Sequence, residues 1–316
     1  MNKISILVKS FIDDIDYCKR LFKSFSKHNK DNLILYLVVP ELDIEAFNNI
    51  IHDDNIEILS EDLFSKYLTM EDVNGVRPGY INQEIIKLAF HELGYCENYF
   101  LCDSDGYFIR DFFISDFLHK DGTPYSILVE DNELQVDPYY HNNHWIERMK
   151  SIEKIKEAIN FDCQFILTSH GFSIFSAAVL RDLKKSYMDN QKLTYLDLME
   201  VSPYEFSWYN LWLQKSKIIG IYSREPLFKT FHYSGQHLEY IIRGVKEEDI
   251  ARSYLGVVVN SNYSRDFGMI NYESNLPKLL VNYISFKDLL YINIFKIKNI
   301  LVRIVRKIKI IFLTTK

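Results

Sequence analysis

Two acidic residues, Asp103 and Asp105, come directly after the apolar segment from Tyr99 to Cys102. A short aromatic and apolar run is typical of a buried strand, so the acids are expected just past the end of that strand. Residues two apart on an extended segment point the same way, which lets both carboxylates face one point. In open α/β sheets, ligands bind at the carboxyl ends of the strands. The two acids are therefore candidates for a ligand or cation site.

Two neighbouring carboxylates repel each other, and no Lys or Arg lies next to this pair in the sequence. A divalent cation such as Mg²⁺ or Mn²⁺ relieves the repulsion, because these ions prefer oxygen ligands. They bind through one or two carboxylates together with substrate phosphates. The alternative is a solvated Asp-Ser-Asp turn that only ends the strand.

The segment from Arg77 to Gly94 predicts a loop followed by a helix. A Pro-Gly pair marks the loop, and Asn82 can cap the helix after it. Apolar residues at helical spacing give the helix a buried stripe, and the final glycine ends it in the left-handed conformation. Gln83 and Lys87 are four residues apart, so they lie on one face of this helix.

The order of helix, short loop, strand and Asp-x-Asp resembles that of glycosyltransferases with the GT-A fold. The stretch that carries the resemblance is GYINQEIIKLAFHELGYCENYFLCDSDGYFIRDF. It is most similar to glycosyltransferases of bacterial capsule and lipopolysaccharide loci, which have a Gln-x-x-x-Lys-Leu helix before a Leu-Asp-Ser-Asp strand. The specific match covers about 35 residues, and a looser one runs from residue 1 to about residue 240.

The resemblance implies a Rossmann-like α/β fold in which helices flank a central, mostly parallel sheet. It implies that Asp103, Asp105 and His232 hold Mn²⁺ or Mg²⁺, and that the donor is a nucleotide sugar, by default a UDP-sugar. The residues expected to bind this donor and its metal are Lys9, Asp13 or Asp14, Gln83, Lys87, Asp103 and Gly235. For Asp13 and Asp14 the alternative is an acidic helix start that suits the helix dipole. For His232 it is a histidine of the core.

Two further residues are candidates for catalysis. The sequence from Ser202 to Glu205 resembles a Ser-x-Tyr-Glu segment of the same relatives, although Pro203 departs from their pattern. Glu205 would be the general base of an inverting reaction, whereas a retaining reaction would need none. The alternative is a glutamate that forms a salt bridge at the start of a helix. His170 is expected in a loop that faces the acceptor in similar family members.

The start of the chain predicts a strand, a helix and a second strand. The strands are Lys3 to Val8 and Leu33 to Val39, and the helix covers about residues 14–27. Short connections between such elements are typical of a right-handed βαβ unit with parallel strands.

Later segments predict the rest of the domain. Further strands are expected at Pro124 to Val129 and Lys217 to Tyr222, and a strand, a loop and a helix from Phe165 to Leu183. The segment from Tyr139 to Trp145 is predicted to be a polar loop. Its two histidines have the spacing of metal ligands on a helix, but no third ligand is near in the sequence.

The composition favours one catalytic domain, residues 1–282, with an appendage at residues 283–316. The four cysteines lie in or beside apolar runs without a C-x-x-C pair, so we expect reduced core thiols: Cys18, Cys96, Cys102 and Cys163. The first residues lack a signal-peptide cleavage site, from which a cytoplasmic protein is expected.

The appendage differs in charge from the rest of the chain. Residues 287–316 hold eight Lys or Arg and one Asp, a net charge of +7, whereas the other residues carry −13. On a helix, most apolar residues of this segment occupy one arc and most basic residues the other. This predicts a basic amphipathic helix that binds an anionic membrane surface without crossing it. The alternative is a helix docked on the acidic body of the protein or on a partner subunit.

The resemblance therefore implies a metal-dependent glycosyltransferase that acts on a glycan or lipid-linked acceptor in bacterial surface polysaccharide synthesis. It would be peripheral on the inner face of the plasma membrane, and the acidic remainder argues against nucleic acid as a partner. A phosphohydrolase is one alternative, but its Asp-x-Asp motif would follow the first strand and continue differently after the second Asp. A nucleotidyltransferase would need a Gly-rich phosphate loop, which is absent near the first strand. The third alternative is a non-catalytic module that binds glycan through aromatic side chains.

Overall fold

We describe residues 2–130, 132–162 and 172–276 of a computed structural model, together with residues 279, 294, 297, 298, 300, 301, 304 and 305. The strands are β1 Ser5–Lys9, β2 Leu35–Val39, β3 Ile56–Ser60, β4 Asn98–Leu101, β5 Gly106–Phe108, β6 Tyr125–Ser126, β7 Ile174–Ser176, β8 Tyr222–Ser223, β9 Phe228–Phe231 and β10 Gly256–Val259.

The α-helices are α1 Ile15–His28, α2 Ile44–Asn48, α3 Pro78–Ala89, α4 Asn132–Val136, α5 Pro138–Tyr140, α6 Ile146–Ala158, α7 Ala177–Leu183, α8 Asp189–Gln191, α9 Tyr195–Val201, α10 Glu205–Ser216, α11 Ser234–Ile242, α12 Glu247–Ile250 and α13 Ser261–Ser264. Short 3₁₀ turns lie at Ile12–Asp14, Glu41–Asp43, Glu61–Phe64, Phe90–Leu93, Ile114–Asp116 and Arg265–Phe267. π-helical turns lie at His141–Trp145 and Lys184–Met188.

The central sheet has the order β3–β2–β1–β4–β7. The pairs β2–β3, β1–β2 and β1–β4 are parallel, and β7 is antiparallel to β4. The chain builds the sheet outward from β1 to β3 and then returns to place β4 on the other side of β1. The fold class predicted from the sequence, a mostly parallel sheet flanked by helices, is confirmed, and so is the first βαβ unit.

Alternate residues of the strands cover the two faces of this sheet. On one face, Leu7 and Tyr99 pack in a core with α3, α7, α9 and α10. On the other face, Ile6 and Phe100 pack with α1. Helices on both sides make nearly every strand residue of β1, β2 and β4 buried, which explains why these segments are continuously apolar in sequence.

Helix α3, which precedes β4, begins earlier than the sequence predicts. Pro78 is its first residue, a position where the missing N–H of proline costs nothing. Asn82 is therefore inside the helix, and its side chain exchanges two hydrogen bonds with the backbone of Thr69 instead of capping. Gly94 ends the following 3₁₀ turn at φ +70°, as predicted.

Three other assignments from the sequence are corrected. The predicted strand at Pro124 to Val129 is reduced to β6, and the one at Lys217 to Tyr222 to β8; these two short strands pair in parallel. The predicted polar loop at Tyr139 to Trp145 is helical and joins α5 to α6. Its exposed polar residues lack the apolar stripe by which a helix is recognised in sequence.

The chain divides into two compact units, residues 1–230 with 248–258, and residues 231–247 with 259–316. In the first unit, Gly256 of β10 leaves room for the ring of Phe228, because a Cβ at this position would collide with that ring. In the second unit, His237 is fully buried and stacks on Phe231 and Tyr272.

Cys18, Cys96 and Cys102 are buried free thiols, as predicted, and Cys163 lies outside the described residues. Within the described part of the chain, no helix is long and apolar enough to cross a membrane. The predicted appendage and its boundary at residue 282 fall mainly outside the described residues. The single residues described there, from 294 to 305, are helical.

Candidate functional site

The Asp103-Ser104-Asp105 motif lies where the chain reverses the direction in which it builds the sheet. Asp103 follows β4 closely, and β4 pairs in parallel with β1. The parallel neighbours of β1 on its other side are β2 and β3. Such a reversal leaves a crevice at the carboxyl ends of the two central strands, which is where open α/β folds bind ligands. The motif therefore lies at the expected binding edge.

Asp103 is held by two side chains of α3. The amide of Gln83 donates to Asp103 Oδ1 over 3.3 Å, and the ammonium of Lys87 lies 3.2 Å from the same oxygen. The other carboxylate oxygen, Oδ2, has no polar partner among the described residues. The side chain is one-third exposed, so this oxygen is available to a ligand. The helix face predicted from the spacing of Gln83 and Lys87 therefore meets the first acid of the motif.

Lys87 is almost completely buried and touches three carboxylates. Besides Asp103, its ammonium lies 3.1 Å from Oε1 of Glu205 and 3.3 Å from Oε2 of Glu84. The side chains of Lys87, Glu84 and Glu205 are 5, 3 and 2 % exposed, so solvent does not screen them. In this geometry Lys87 balances acids of the protein, whereas the sequence predicted it as a cation for the donor.

The protonation of this cluster follows from burial and contact. Burial raises the pKa of Glu84 well above its usual range, and the neighbouring Glu205 raises it further. Burial also acts to raise the pKa of Glu205, but the attraction of Lys87 and the hydrogen bond from Glu84 outweigh it and the pKa is lowered. Burial acts to lower the pKa of Lys87, and its three acidic neighbours raise it well above normal.

The turn that carries Asp105 is fixed from α1 and the 3₁₀ turn before it. Ser104 Oγ donates to Asp14 Oδ2 over 3.1 Å, and both side chains are buried. Arg20 donates through one nitrogen to the carbonyls of Ser104 and Gly106, each at 3.3 Å. Its guanidinium also lies over the ring of Tyr107, 4.4 Å from the centroid. These contacts hold the turn before any ligand arrives.

Asp105 is buried, and its charge acts on the neighbouring Arg20. Burial lowers the pKa of the Arg20 guanidinium, whereas Tyr107 and Asp105 act to raise it. A different cation therefore stabilises each acid of the motif. Lys87 forms an ion pair with Asp103, and the positive charge of Arg20 attracts Asp105. Neither cation is near the acids in sequence.

Two predicted donor-binding residues lie near the start of the chain. Lys9 at the end of β1 forms an ion pair of 2.8 Å with Glu61 and donates to the carbonyl of Ser10. Asp13 is exposed in the 3₁₀ turn before α1. Asp14, the alternative to Asp13, is the partner of Ser104.

The remaining predicted site residues belong to other parts of the chain. His232 and Gly235 belong to the second compact unit, where the backbone N–H of His232 donates to Gln236 and Gly235 lies against the ring of Tyr233. His170 lies outside the described residues. His141 and His144 are on the helical segment between α5 and α6, where His144 packs against Tyr140.

The donor atoms at the edge fit a hard divalent cation shared with a phosphate. Among the described residues, no group of three His, Cys, Asp or Glu side chains could hold a metal ion by itself. Mg²⁺ and Mn²⁺ do not need such a group, because one or two carboxylates and the phosphates of a substrate can complete their coordination. The free oxygen of Asp103 and the carboxylate two residues on provide that minimal set.

Sequence reasoning missed Glu84, Arg20 and the role of Ser104. Glu84 is three residues before Lys87, a spacing that places both on one helix face and could have indicated an ion pair. Arg20 is three residues after Tyr17 and lies over its ring as well, at 5.3 Å. Nothing local could indicate the bond between Ser104 and Asp14, which are 90 residues apart.

Comparisons with known proteins give a family and partial structural matches. The model of DUF6492, a family of unknown function, matches residues 1–242. No curated protein matches the chain significantly.

Solved structures with partial similarity include mouse xyloside xylosyltransferase 1, with 7 % identity, a TM-score of 0.47 and coverage of 82 % of this chain and 98 % of that one. The galactosyltransferase LgtC, in complex with donor and acceptor sugar analogs, has 10 % identity and a TM-score of 0.48, with coverages of 87 and 95 %. The bifunctional glycosyltransferase WbbM has 13 % identity and a TM-score of 0.47; the match covers 87 % of this chain and 49 % of WbbM, about half its length.

Proposed function

The chain belongs to DUF6492, a family of unknown function, and from its site we propose that it is a metal-dependent glycosyltransferase. It would move a sugar from a nucleotide sugar, by default a UDP-sugar, to a glycan or lipid-linked acceptor of a bacterial surface polysaccharide. The observation that supports this is the preformed acidic edge at β4, where Asp103 presents a free carboxylate oxygen. The TM-scores to the named glycosyltransferases are below 0.5, so the residues of the edge carry the proposal.

The residues of the chain would act by binding and orienting the donor. Asp103, with Asp105, would hold a divalent cation, which when bound neutralises the diphosphate of the leaving nucleotide. Gln83 and Lys87 fix one oxygen of Asp103 and leave the other for the ligand. Asp14 and Arg20 fix the turn on which the second acid lies. Because this framework is already formed, the site needs little rearrangement when the donor binds.

The surroundings of Glu205 do not suit a general base. Glu205, predicted as the general base, is 2 % exposed and bound to Lys87 and Glu84. To accept a proton it would have to give up its ion pair inside the protein, which is costly for a buried charge pair. We therefore give Glu205 a different role below and assign no base.

The proposal includes attachment to an anionic membrane surface through residues 283–316. The described apolar residues of this segment are helical and exposed, among them Ile297 at 58 % and Leu301 at 56 %. The segment also carries a net charge of +7, whereas the chain as a whole carries −6. Apolar exposure combined with positive charge is the requirement for binding at the surface of an anionic bilayer.

The function is tested by screening nucleotide sugars against the full-length chain with Mn²⁺. A true donor at 100 times its dissociation constant should stabilise the fold by about 2.7 kcal/mol, which a thermal shift detects. The same donor should release its nucleotide slowly in the presence of metal and not in EDTA. Release of phosphate from simple monoesters would instead identify a phosphohydrolase, and binding of glycan without nucleotide release a non-catalytic module.

A further inference from the structure

Glu205 and Asp103 share one ammonium group although they lie 102 positions apart in the chain. Lys87 Nζ is 3.2 Å from Asp103 Oδ1 and 3.1 Å from Glu205 Oε1, so the ammonium is about equally close to the two acids. Glu205 is the first residue of α10, and Lys87 lies in the last turn of α3. The packing of these two helices thus places the buried carboxylate of Glu205 on the same ammonium group as the more exposed carboxylate of Asp103.

The accessibility of the two acids differs. The side chain of Glu205 is 2 % exposed, whereas that of Asp103 is one-third exposed and has a free oxygen. A charged Lys87 that had only Asp103 as a partner would neutralise it and repel any other cation. With Glu205 present, the charge of Lys87 is already balanced inside the protein.

We propose that Glu205 is a positioning residue for the metal site: it is the internal counter-ion of Lys87, and it thereby leaves the negative charge of Asp103 available to a divalent cation. The inference rests on the proposed function, because it assumes a cation at Asp103. It replaces the role of a general base with an electrostatic one that acts through Lys87.

This role makes opposite predictions for two neutralising substitutions. Glu205→Gln removes one acidic partner of Lys87 and leaves the ammonium to Asp103 and Glu84, so Mn²⁺ should bind about tenfold more weakly. Lys87→Met removes the competing cation, so Mn²⁺ should bind about tenfold more tightly. The double variant removes both charges and should return the affinity to within about threefold of the wild type.

The experiment is a calorimetric titration of Mn²⁺ into the full-length protein, alone and with UDP. A matched control is Lys184→Met, which removes the lysine of another partly buried pair, 2.7 Å from Glu92 and outside the site. The control should lose stability and keep its Mn²⁺ affinity. Lys87→Met leaves acids unpaired and could therefore fail to fold. In that case the double variant is compared with Glu205→Gln: a higher Mn²⁺ affinity of the double variant supports the role of Glu205, and an equal affinity contradicts it.

Two results would overturn the inference. If the wild type binds Mn²⁺ and all four variants bind it equally well, Glu205 has no electrostatic role, while the proposed function stands. If Glu205→Gln keeps its Mn²⁺ affinity but loses turnover, and with it the acid limb of the pH profile, Glu205 is a base after all. A wild type that binds no Mn²⁺ with or without UDP contradicts both the inference and the metal-dependent function.

Discussion

Ser104, the small residue between the two acids of the motif, donates a 3.1 Å hydrogen bond to Asp14 at the start of α1. The bond lies in the interior, since both side chains are less than 9 % exposed. It joins the turn after β4 to the segment after β1, the two places that meet at the binding edge. This hydrogen bond and those of Arg20 fix the position of the acids in the folded chain before any ligand binds.

The first prediction concerns Arg20. Arg20→Met should remove the donor to two carbonyls of the turn and leave Asp105 buried without its cation, at a cost of about 1–3 kcal/mol in unfolding free energy. Donor hydrolysis should fall more steeply than stability suggests, because the turn loses its fixed geometry. Chemical denaturation and nucleotide release measure the two effects.

Lys19→Met, one position earlier on the same helix, is the control for Arg20. Lys19 is half exposed, and its partner among the described residues is Asp16, so its removal should change neither quantity appreciably. Equal behaviour of the two variants would show that Arg20 is not needed to hold the turn.

The second prediction separates the two acids of the motif. Asp103→Asn should lower metal-dependent nucleotide release at least 100-fold and cost little stability, because the residue is partly exposed and its amide can still face Gln83. Asp105→Asn should lower the rate as well but also destabilise the fold, since Arg20 is buried beside it. Full activity of the double variant, or of the wild type in EDTA, would disprove metal-dependent catalysis.

Local sequence patterns predicted the strand and the helix that carry the site, but not the buried contacts between its side chains. The apolar strand before Asp103 and the helix face with Gln83 and Lys87 follow from short-range periodicity, which burial on two sides of a sheet imposes. The partners of Lys87 do not, because Glu205 lies 118 residues away and reaches it only through the packing of α10. The cations beside the two acids are Arg20 of α1 and Lys87 of α3. A local sequence pattern cannot show that these helices pack against a turn elsewhere in the chain.

The errors of prediction also have physical causes. The Pro-Gly pair predicts a loop at Pro78, yet proline at the first helical position needs no N–H partner, so α3 begins there. His141 and its neighbours form a helix without an apolar stripe, because most of their side chains face solvent. In such a segment periodicity carries no information about secondary structure.

The third prediction is a loss of stability in acid that depends on His237. This residue is fully buried, with Nε2 donating to the carbonyl of Tyr272 at 2.7 Å and Nδ1 accepting from the hydroxyl of Tyr263 at 3.0 Å. Burial lowers its pKa from 6.5 to about 4. The unfolded chain therefore binds a proton that the folded chain excludes, so stability should fall as pH drops from about 6.5 and level off below about 4.

The difference amounts to about 3 kcal/mol of unfolding free energy, from about 1.4 kcal/mol per pKa unit. Denaturant unfolding at pH 7 and pH 4.5 should show most of this difference in the wild type, and a fall smaller by that amount in His237→Phe, which is expected to be less stable at pH 7. His91 also has a pKa lowered by burial to about 4, and its contribution is common to both proteins. An equal fall in both proteins would show that His237 does not cause it.

The last prediction concerns residues 283–316. Each Lys or Arg near an anionic surface contributes about 1 kcal/mol of binding, so the basic residues of this segment suffice for reversible attachment. Truncation after Asn282 should remove binding to vesicles that contain anionic lipid and retain turnover on a soluble acceptor. High salt should weaken the binding of the full-length protein, because it screens exposed charges.

A variant with Lys296, Lys298 and Arg303 changed to Gln tests the charge without removing the helix. If truncation unfolds the protein and the full-length chain ignores anionic vesicles, the segment belongs to the core of the enzyme.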